Sequence, residues 1–279
     1  MTDLREKAVL FKSLHQSGSP LVLVNAWDVA SARLVEEAGA AAIATTSAAV
    51  AWSLGVADGD LLGRERALSV VERVAGAVPV PVTADVENGF GADPRGLADT
   101  IRRVLAAGAV GVNIEDALYA QGRAVSLRAA EDQAERIRVV RQVAEEAGVP
   151  LFINARTDTY LRSFGDPADR LGETLERAAL FVEAGADGVF VPGVSHAQTV
   201  AALADRIAAP LNVLAGPGSP SVGELAGLGV ARVSLGSSVA QAAYGLVRRA
   251  AREALAQGTY SALADHAEYG ELNALFGRR

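Results

Sequence analysis

The segment Pro81-Val-Thr-Ala-Asp-Val-Glu-Asn-Gly-Phe-Gly91 reads as a strand that closes on two carboxylates, Asp85 and Glu87, spaced i, i+2. Alternate residues of a strand share a face, so the two point the same way. A second acidic strand end follows in Gly111-Val-Asn-Ile-Glu-Asp116, and Glu115 joins the pair if the two strands are neighbours. Three crowded carboxylates repel unless a cation or a proton lies among them. Oxygen-only ligand sets of this kind suit Mg2+, with Mn2+ as the alternative. The competing reading is a structural ion-pair network, against which neither Lys nor Arg stands beside these acids in sequence. Asp58, in Leu54-Gly-Val-Ala-Asp-Gly-Asp60, follows an earlier strand-like run and could face the same cavity; alone it reads as a turn aspartate.

Other polar groups sit at similar positions. Arg156, in Phe152-Ile-Asn-Ala-Arg-Thr-Asp158, ends a strand-like run, and its planar fork suits a substrate carboxylate or a salt bridge to Asp158 or the acid cluster. Asn113, Asn154 and Asn212 read either as hydrogen-bond donors to a ligand or as satisfied buried amides. Thr45, Thr46, Ser47 and Ala48 are small enough to let backbone N–H groups approach an oxyanion, or they form an ordinary loop. Trp27 ends another run and reads first as a packing wall. Tyr119 and Arg123 are candidate closing-lid residues on what otherwise reads as a surface loop. His15, His196 and His266 have no ligand spacing, and neither a phosphate loop nor a Gly-x-Ser-x-Gly elbow is present.

These groups need elements to hold them. Short apolar, β-branched runs recur at 21–27, 41–46, 80–87, 111–116, 151–157, 188–193, 211–216 and 232–236, with helix-like stretches between them such as 94–107, 126–147, 169–184 and 221–228. The approach to each run is itself periodic. Odd-numbered runs follow Pro20, Pro79 and Pro81, Pro150 or Pro210; even-numbered runs follow Gly39, Gly108, Gly185 or Gly229, each suited to a helix C′ position. Eight βα units predict a (βα)8 TIM barrel, the alternative being a doubly wound open sheet. Barrel chemistry lies at the C-terminal strand ends, where Asp85, Glu87, Glu115, Asp116, Arg156 and Asp158 fall. Residues 1–256 are expected to form the barrel and 257–279 a C-terminal helical extension that packs on another subunit or folds back on its own barrel.

Composition excludes several function classes. With 279 residues, half of them hydrophobic, the chain can bury a large core. A formal charge of −7 and no basic run argue against nucleic acid as a partner. The absence of cysteine removes disulfides, thiolate ligands and cysteine nucleophiles. No run approaches a membrane span and the N-terminus lacks an apolar signal core, so a cytoplasmic protein is expected.

Five ordered segments, Leu23–Asp28, Leu54–Asp58, Thr83–Gly89, Gly111–Asp116 and Ile153–Asp158, together resemble the isocitrate lyase and phosphoenolpyruvate mutase superfamily, in particular its 2-methylisocitrate lyase-like members. The resemblance implies a Mg2+-dependent barrel that makes or breaks C–C or P–C bonds in 2-oxo or hydroxy carboxylic acids, as a homo-oligomer, a dimer or a tetramer built from helix-swapped pairs. It implies that Asp58, Asp85, Glu87 and Glu115 match the metal shell, some through water, with Glu87 standing where the family usually has Asp. It also implies that Thr46 and Ser47 hold the substrate's oxyanion or carboxylate, that Arg156 binds a carboxylate, and that Asn212 resembles the seventh-strand polar residue of the lyases. The catalytic loop departs from the pattern: Ala117-Leu-Tyr-Ala-Gln-Gly-Arg-Ala-Val125 has neither the lyase cysteine signature nor the mutase Lys-x-Asn-Ser. Likewise Val189-Phe-Val-Pro-Gly193 lacks the lyase glutamate and the mutase histidine. The expected reaction therefore passes through an enolate, with oxaloacetate- or phosphonopyruvate-type hydrolysis and a non-catalytic keto-acid-binding barrel as the alternatives.

Overall fold

The computed structural model describes residues 2–277. All eight apolar runs are parallel strands of one sheet. The first is broken at Val24 into β1 (Leu21–Leu23) and β2 (Asn25–Ala26); β3 (Ile43–Thr45), β4 (Val82–Asp85) and β5 (Gly111–Glu115) follow. A hairpin, β6 (Ala117–Ala120) and β7 (Arg123–Leu127), precedes β8 (Phe152–Arg156), β9 (Gly188–Val191), β10 (Leu211–Leu214) and β11 (Arg232–Ser234). The order β1-β11-β10-β9-β8-β5-β4-β3-β2 begins and ends on the two halves of one strand, so the sheet closes on itself as a TIM barrel. Asn25 fastens that seam: its Nδ2 donates to Thr45 O (2.9 Å), and its Oδ1 accepts from the N–H groups of Leu235 (3.1 Å) and Gly236 (2.8 Å).

Helices form the outer layer, and several, such as those at Pro94–Ala106 and Arg170–Glu183, bury an apolar stripe against the strands. They are α1 (Thr2–Ser13), α2 (Val29–Glu37), α3 (Ser47–Ser53), α4 (Arg64–Ala77), α5 (Pro94–Ala106), α6 (Ala130–Glu146), α7 (Arg170–Glu183), α8 (Ala197–Arg206), α9 (Val222–Gly227), α10 (Ser238–Gln257) and α11 (Tyr269–Gly277). Asp28 and Ser221 close capping boxes on α2 and α9, and Asp93 caps α5 ahead of Pro94. The four glycines expected after helices have φ of +94° (Gly39), +91° (Gly108), +104° (Gly185) and +88° (Gly229). The largest apolar cluster packs Leu97, Ile101 and Val104 of α5 and Ile137 and Val140 of α6 against strand residues such as Val112 and Ile153. That double coverage is why the strands read as continuous apolar runs.

One element differs from the sequence-based expectation, one was not foreseen, and the C-terminal stretch takes the folded-back alternative. The helix expected from residue 126 starts at Ala130, because Arg123–Leu127 pairs with Ala117–Ala120 in an antiparallel hairpin. The polar α1 closes the N-terminal mouth, with Phe11 edge-on to Phe152 (5.6 Å) and His15 stacked on the same ring (3.8 Å). The C-terminal stretch supplies α11, which lies on α2, where Arg33 Nη1 donates to Leu275 O (2.8 Å).

Candidate active site

β4 and β5 are adjacent, with Asp85 opposite Asn113, and β5 pairs β8 with Glu115 opposite Arg156. The ladder thus delivers the acids and the arginine to one end of the barrel. Asp85 Oδ2 accepts from Ser47 Oγ (2.8 Å) and Ser47 N (3.1 Å), while the Asp85 N–H donates to Thr45 Oγ1 (2.9 Å). The loop after β3 therefore orients the carboxylate at the end of β4. Thr46 precedes α3 without a side-chain cap, leaving the first amides of that helix to another acceptor.

Glu87 is buried, in left-handed backbone at φ +50°, and accepts a short hydrogen bond from the Asp60 N–H. Burial first, then the Asp85 charge, push its carboxyl up to about 9. Asp58 is raised as well, by burial and then by Asp85. Glu115 has donors on both oxygens: Arg156 Nη1 at 2.7 Å and the Tyr119 hydroxyl at 2.6 Å. Burial pushes Glu115 up and Arg156 opposes it. The Arg156 fork grips Asp158 through Nε (2.6 Å) and Nη2 (2.9 Å), and its Cζ lies 5.9 Å from the centroid of the Phe190 ring. Burial works against this guanidinium, but Glu115 and Asp158 outweigh it and hold its pKa well above the usual arginine range. The ion-pair reading of Arg156 is thus realised on one side of the group.

A cavity of about 270 Å³ opens here at the C-terminal strand ends. Among the sequence-derived candidates, Thr46, Ser47, Asp58, Asp85, Asn113 and Arg156 line it. Thr45 supports Asp85, and Glu87 and Glu115 are buried carboxylates coupled to Asp85 without lining the cavity. Trp27 packs against Tyr244, 6.3 Å between centroids, and Asn212 is buried with its Oδ1 accepting from Ser234 Oγ (3.2 Å); neither lines the cavity. A larger groove of about 580 Å³ lies elsewhere, between β1 and α2, and no titratable side chain lines it.

The donor set can be tested against the expected metal. Among the described residues no three carboxylate or imidazole groups form a ready ligand cluster. Mg2+ rarely uses an all-protein cage; it keeps waters and takes one or two carboxylates together with substrate oxygens. Two carboxylates on the cavity wall, backed by Glu87 and Glu115 and short of compensating charge, fit that habit.

Two groups escaped the sequence reading. Arg162 lines the cavity from the loop after β8, and a loop position carries no periodic signal. Arg232, at the start of β11, is fully buried: Nη2 donates to Asn113 Oδ1 (3.1 Å), Nη1 has no partner, and burial lowers its pKa to about 9. Asn154 Nδ2 donates to the same Asn113 oxygen (2.8 Å), so the asparagines form a polar layer below the cavity.

A closed parallel barrel with carboxylates and an arginine at its C-terminal strand ends has the site placement of the TIM-barrel enzymes. Residues 11–255 match the family described as phosphoenolpyruvate phosphomutase, and the chain belongs to that family, within the isocitrate lyase and phosphoenolpyruvate mutase superfamily. It is 38% identical over 228 residues to an uncharacterised Mycobacterium tuberculosis protein, covering 81% of each chain. It is 27% identical over 216 residues to the 2-methylisocitrate lyase of Escherichia coli, covering 75% of this chain and 70% of the relative. The fold superimposes on the phosphoenolpyruvate phosphomutase of Streptomyces platensis subsp. rosaceus with a TM-score of 0.83 at 27% identity, covering 97% of this chain and 95% of that one.

Proposed function

We propose that the chain is a Mg2+-dependent enzyme, with Mn2+ as the alternative ion, that cleaves or forms a C–C or P–C bond in a 2-oxo or hydroxy carboxylic acid through an enolate. The observation that carries this reading is that Asp58 and Asp85 share one small cavity with the cationic Arg156, at the catalytic end of the barrel. Asp58, Asp85, Glu87 and Glu115 would hold the ion, some through water, and the ion would supply positive charge to the enolate oxygen. Arg156 has N–H groups left beyond its contacts to Glu115 and Asp158, and these bind the substrate carboxylate. Thr46 and Ser47 present hydroxyl and amide donors to the oxyanion, and Asn113 fixes the opposite edge. Trp27, Thr45 and Asn212 support these groups from outside the lining. Tyr119 ties the hairpin to Glu115, which makes the hairpin the lid.

Turnover of oxaloacetate, phosphonopyruvate and methylisocitrate, with and without EDTA, tests the reading; no metal-dependent turnover of any of them would sink it. Products separate the reactions. Acetate plus oxalate from oxaloacetate identifies hydrolysis, pyruvate plus a carbonyl product identifies aldol-type cleavage, and binding without turnover identifies a keto-acid-binding barrel.

A homo-oligomer belongs to the same proposal. Only Ala240 is buried along α10, while Val247 (65%) and Leu255 (89%) face outward, and the groove lined by Val22, Val24, Leu34 and Val35 holds no helix. A second copy's α10 fits that groove, while α11 folds back on α2 of its own barrel. No described helix is long and apolar enough to cross a membrane.

A further inference from the structure

We propose that Arg162 sets substrate specificity by binding a second anionic group, so that the cavity prefers a 2-oxo dicarboxylate of about four carbons to a 2-oxo monocarboxylate. This rests on the enolate-site reading above and adds the identity of the substrate's far end.

Arg156 and Arg162 are the cationic side chains lining the cavity among the described residues. Their surroundings differ. Arg156 is committed to Glu115 and Asp158 at 2.6–2.9 Å and is 12% exposed at its side chain. Arg162 reaches the same Asp158 only at 3.5 Å, and its side chain is 35% exposed. Asp158 is itself fully buried and already gripped by the Arg156 fork, so little of its charge remains for Arg162. The other partner of Arg162 is the Tyr119 hydroxyl, which is uncharged, so the Arg162 charge on this wall is opposed only by the shared Asp158.

That wall is built to hold the group in place. The Arg162 N–H donates to Asp158 O (3.1 Å), and the Ser163 N–H to Tyr160 O (3.1 Å), which locks a single turn. Gly193 presses on this turn from the loop after β9: with φ +86°, a Cβ there would stand 2.6 Å from Leu161 Cα. The cavity that Arg162 shares is lined in part by apolar side chains, Leu161, Phe190, Pro192 and Leu214. Those side chains cannot solvate a carboxylate, so Arg162 is the charged partner open to an anion that reaches this wall. A ligand too short to reach the wall gains nothing from it.

Calorimetric titration in Mg2+ of the wild type, Arg162→Met and Arg162→Lys tests the assignment with two probes. Oxalate spans only the metal-binding end; 3,3-difluorooxaloacetate is a four-carbon keto diacid that cannot enolise. The expected result is a loss of about 10- to 100-fold in difluorooxaloacetate affinity for Arg162→Met, the value of one charge-assisted pair. Oxalate affinity stays within about twofold, as expected for a probe that never meets Arg162, and Arg162→Lys recovers part of the diacid affinity. Unchanged diacid binding in Arg162→Met, or equal loss of both probes, overturns the assignment and leaves the enolate site standing. A wild type that binds neither probe removes the enolate site and the assignment with it. If Arg162→Met melts early, Arg162→Gln is judged by the same ratio.

Discussion

At the scale of single residues the site is a problem of charge compensation, and its pairs make separable predictions. Arg156 joins Glu115 and Asp158, both nearly inaccessible, so its removal strands two buried carboxylates. Arg156→Met is expected to abolish turnover and to lower stability by about 3–5 kcal/mol, the usual cost of breaking a buried pair from one side. Urea denaturation measures the second effect independently of any assay. Asp85→Asn keeps an acceptor for Ser47 but removes the charge, so metal-dependent turnover should fall at least about 100-fold with little change in melting temperature. A far-removed residue governs acid stability. His15, buried in the plug beneath the barrel, is lowered to about 3 by burial and then by Arg232. Below pH 6.5 the unfolded chain takes a proton that the folded chain refuses, so this contribution is complete above 6.5 and is lost as pH falls toward 3. Between pH 7.5 and pH 5 the wild type should lose about 2 kcal/mol more than His15→Phe in matched urea titrations.

Between elements, the decisive contact is the hairpin on the acidic loop. β6 and β7 turn at Gln121 and Gly122, and Gly122 lies so close to Gly59 that a Cβ on Gly59 would stand 2.4 Å from the Gly122 carbonyl oxygen. Backbone cannot yield there as a flexible side chain would, and Gly59 also needs its φ of +102°. Gly59→Ala should therefore lift the hairpin from the loop that carries Asp58 and Asp60. Expected outcomes are a fall of about tenfold or more in kcat/KM and faster proteolysis within 117–127, while global melting changes little. Cleavage at the wild-type rate would show that the hairpin is not seated by this contact. The hairpin was hard to foresee because Ala117–Leu127 is too polar and too short to alternate clearly, and because its pairing depends on a turn with two positive φ values, at Gln121 (+51°) and Gly122 (+75°).

For the whole molecule, the closed barrel leaves most of α10 exposed. α10 departs after β11 with Tyr244 near Trp27 and Trp52 (6.3 and 6.5 Å), and beyond that it exposes Val247 and Leu255. Light scattering is expected to show a dimer or tetramer, and Val247→Glu with Leu255→Glu to shift it toward monomer. Monomeric wild type at micromolar concentration would refute the exchange of α10.

The amino-acid pattern alone determined the eight-strand rhythm, because β-branched runs entered from proline and from left-handed glycine repeat whatever the fold does with them. It also placed Asp85, Glu115 and Arg156 at strand ends, since a charged residue closing an apolar run can lie nowhere else in a barrel. Only the tertiary structure decided which carboxylates face the cavity and which lie behind it, and that Arg156 is half-spent on Glu115 and Asp158. It alone brought forward Arg162 and Arg232, whose roles depend on residues far away in the chain. Strand geometry is local and so is written in sequence, whereas charge compensation is settled by whichever neighbours the closed barrel brings within a few ångströms.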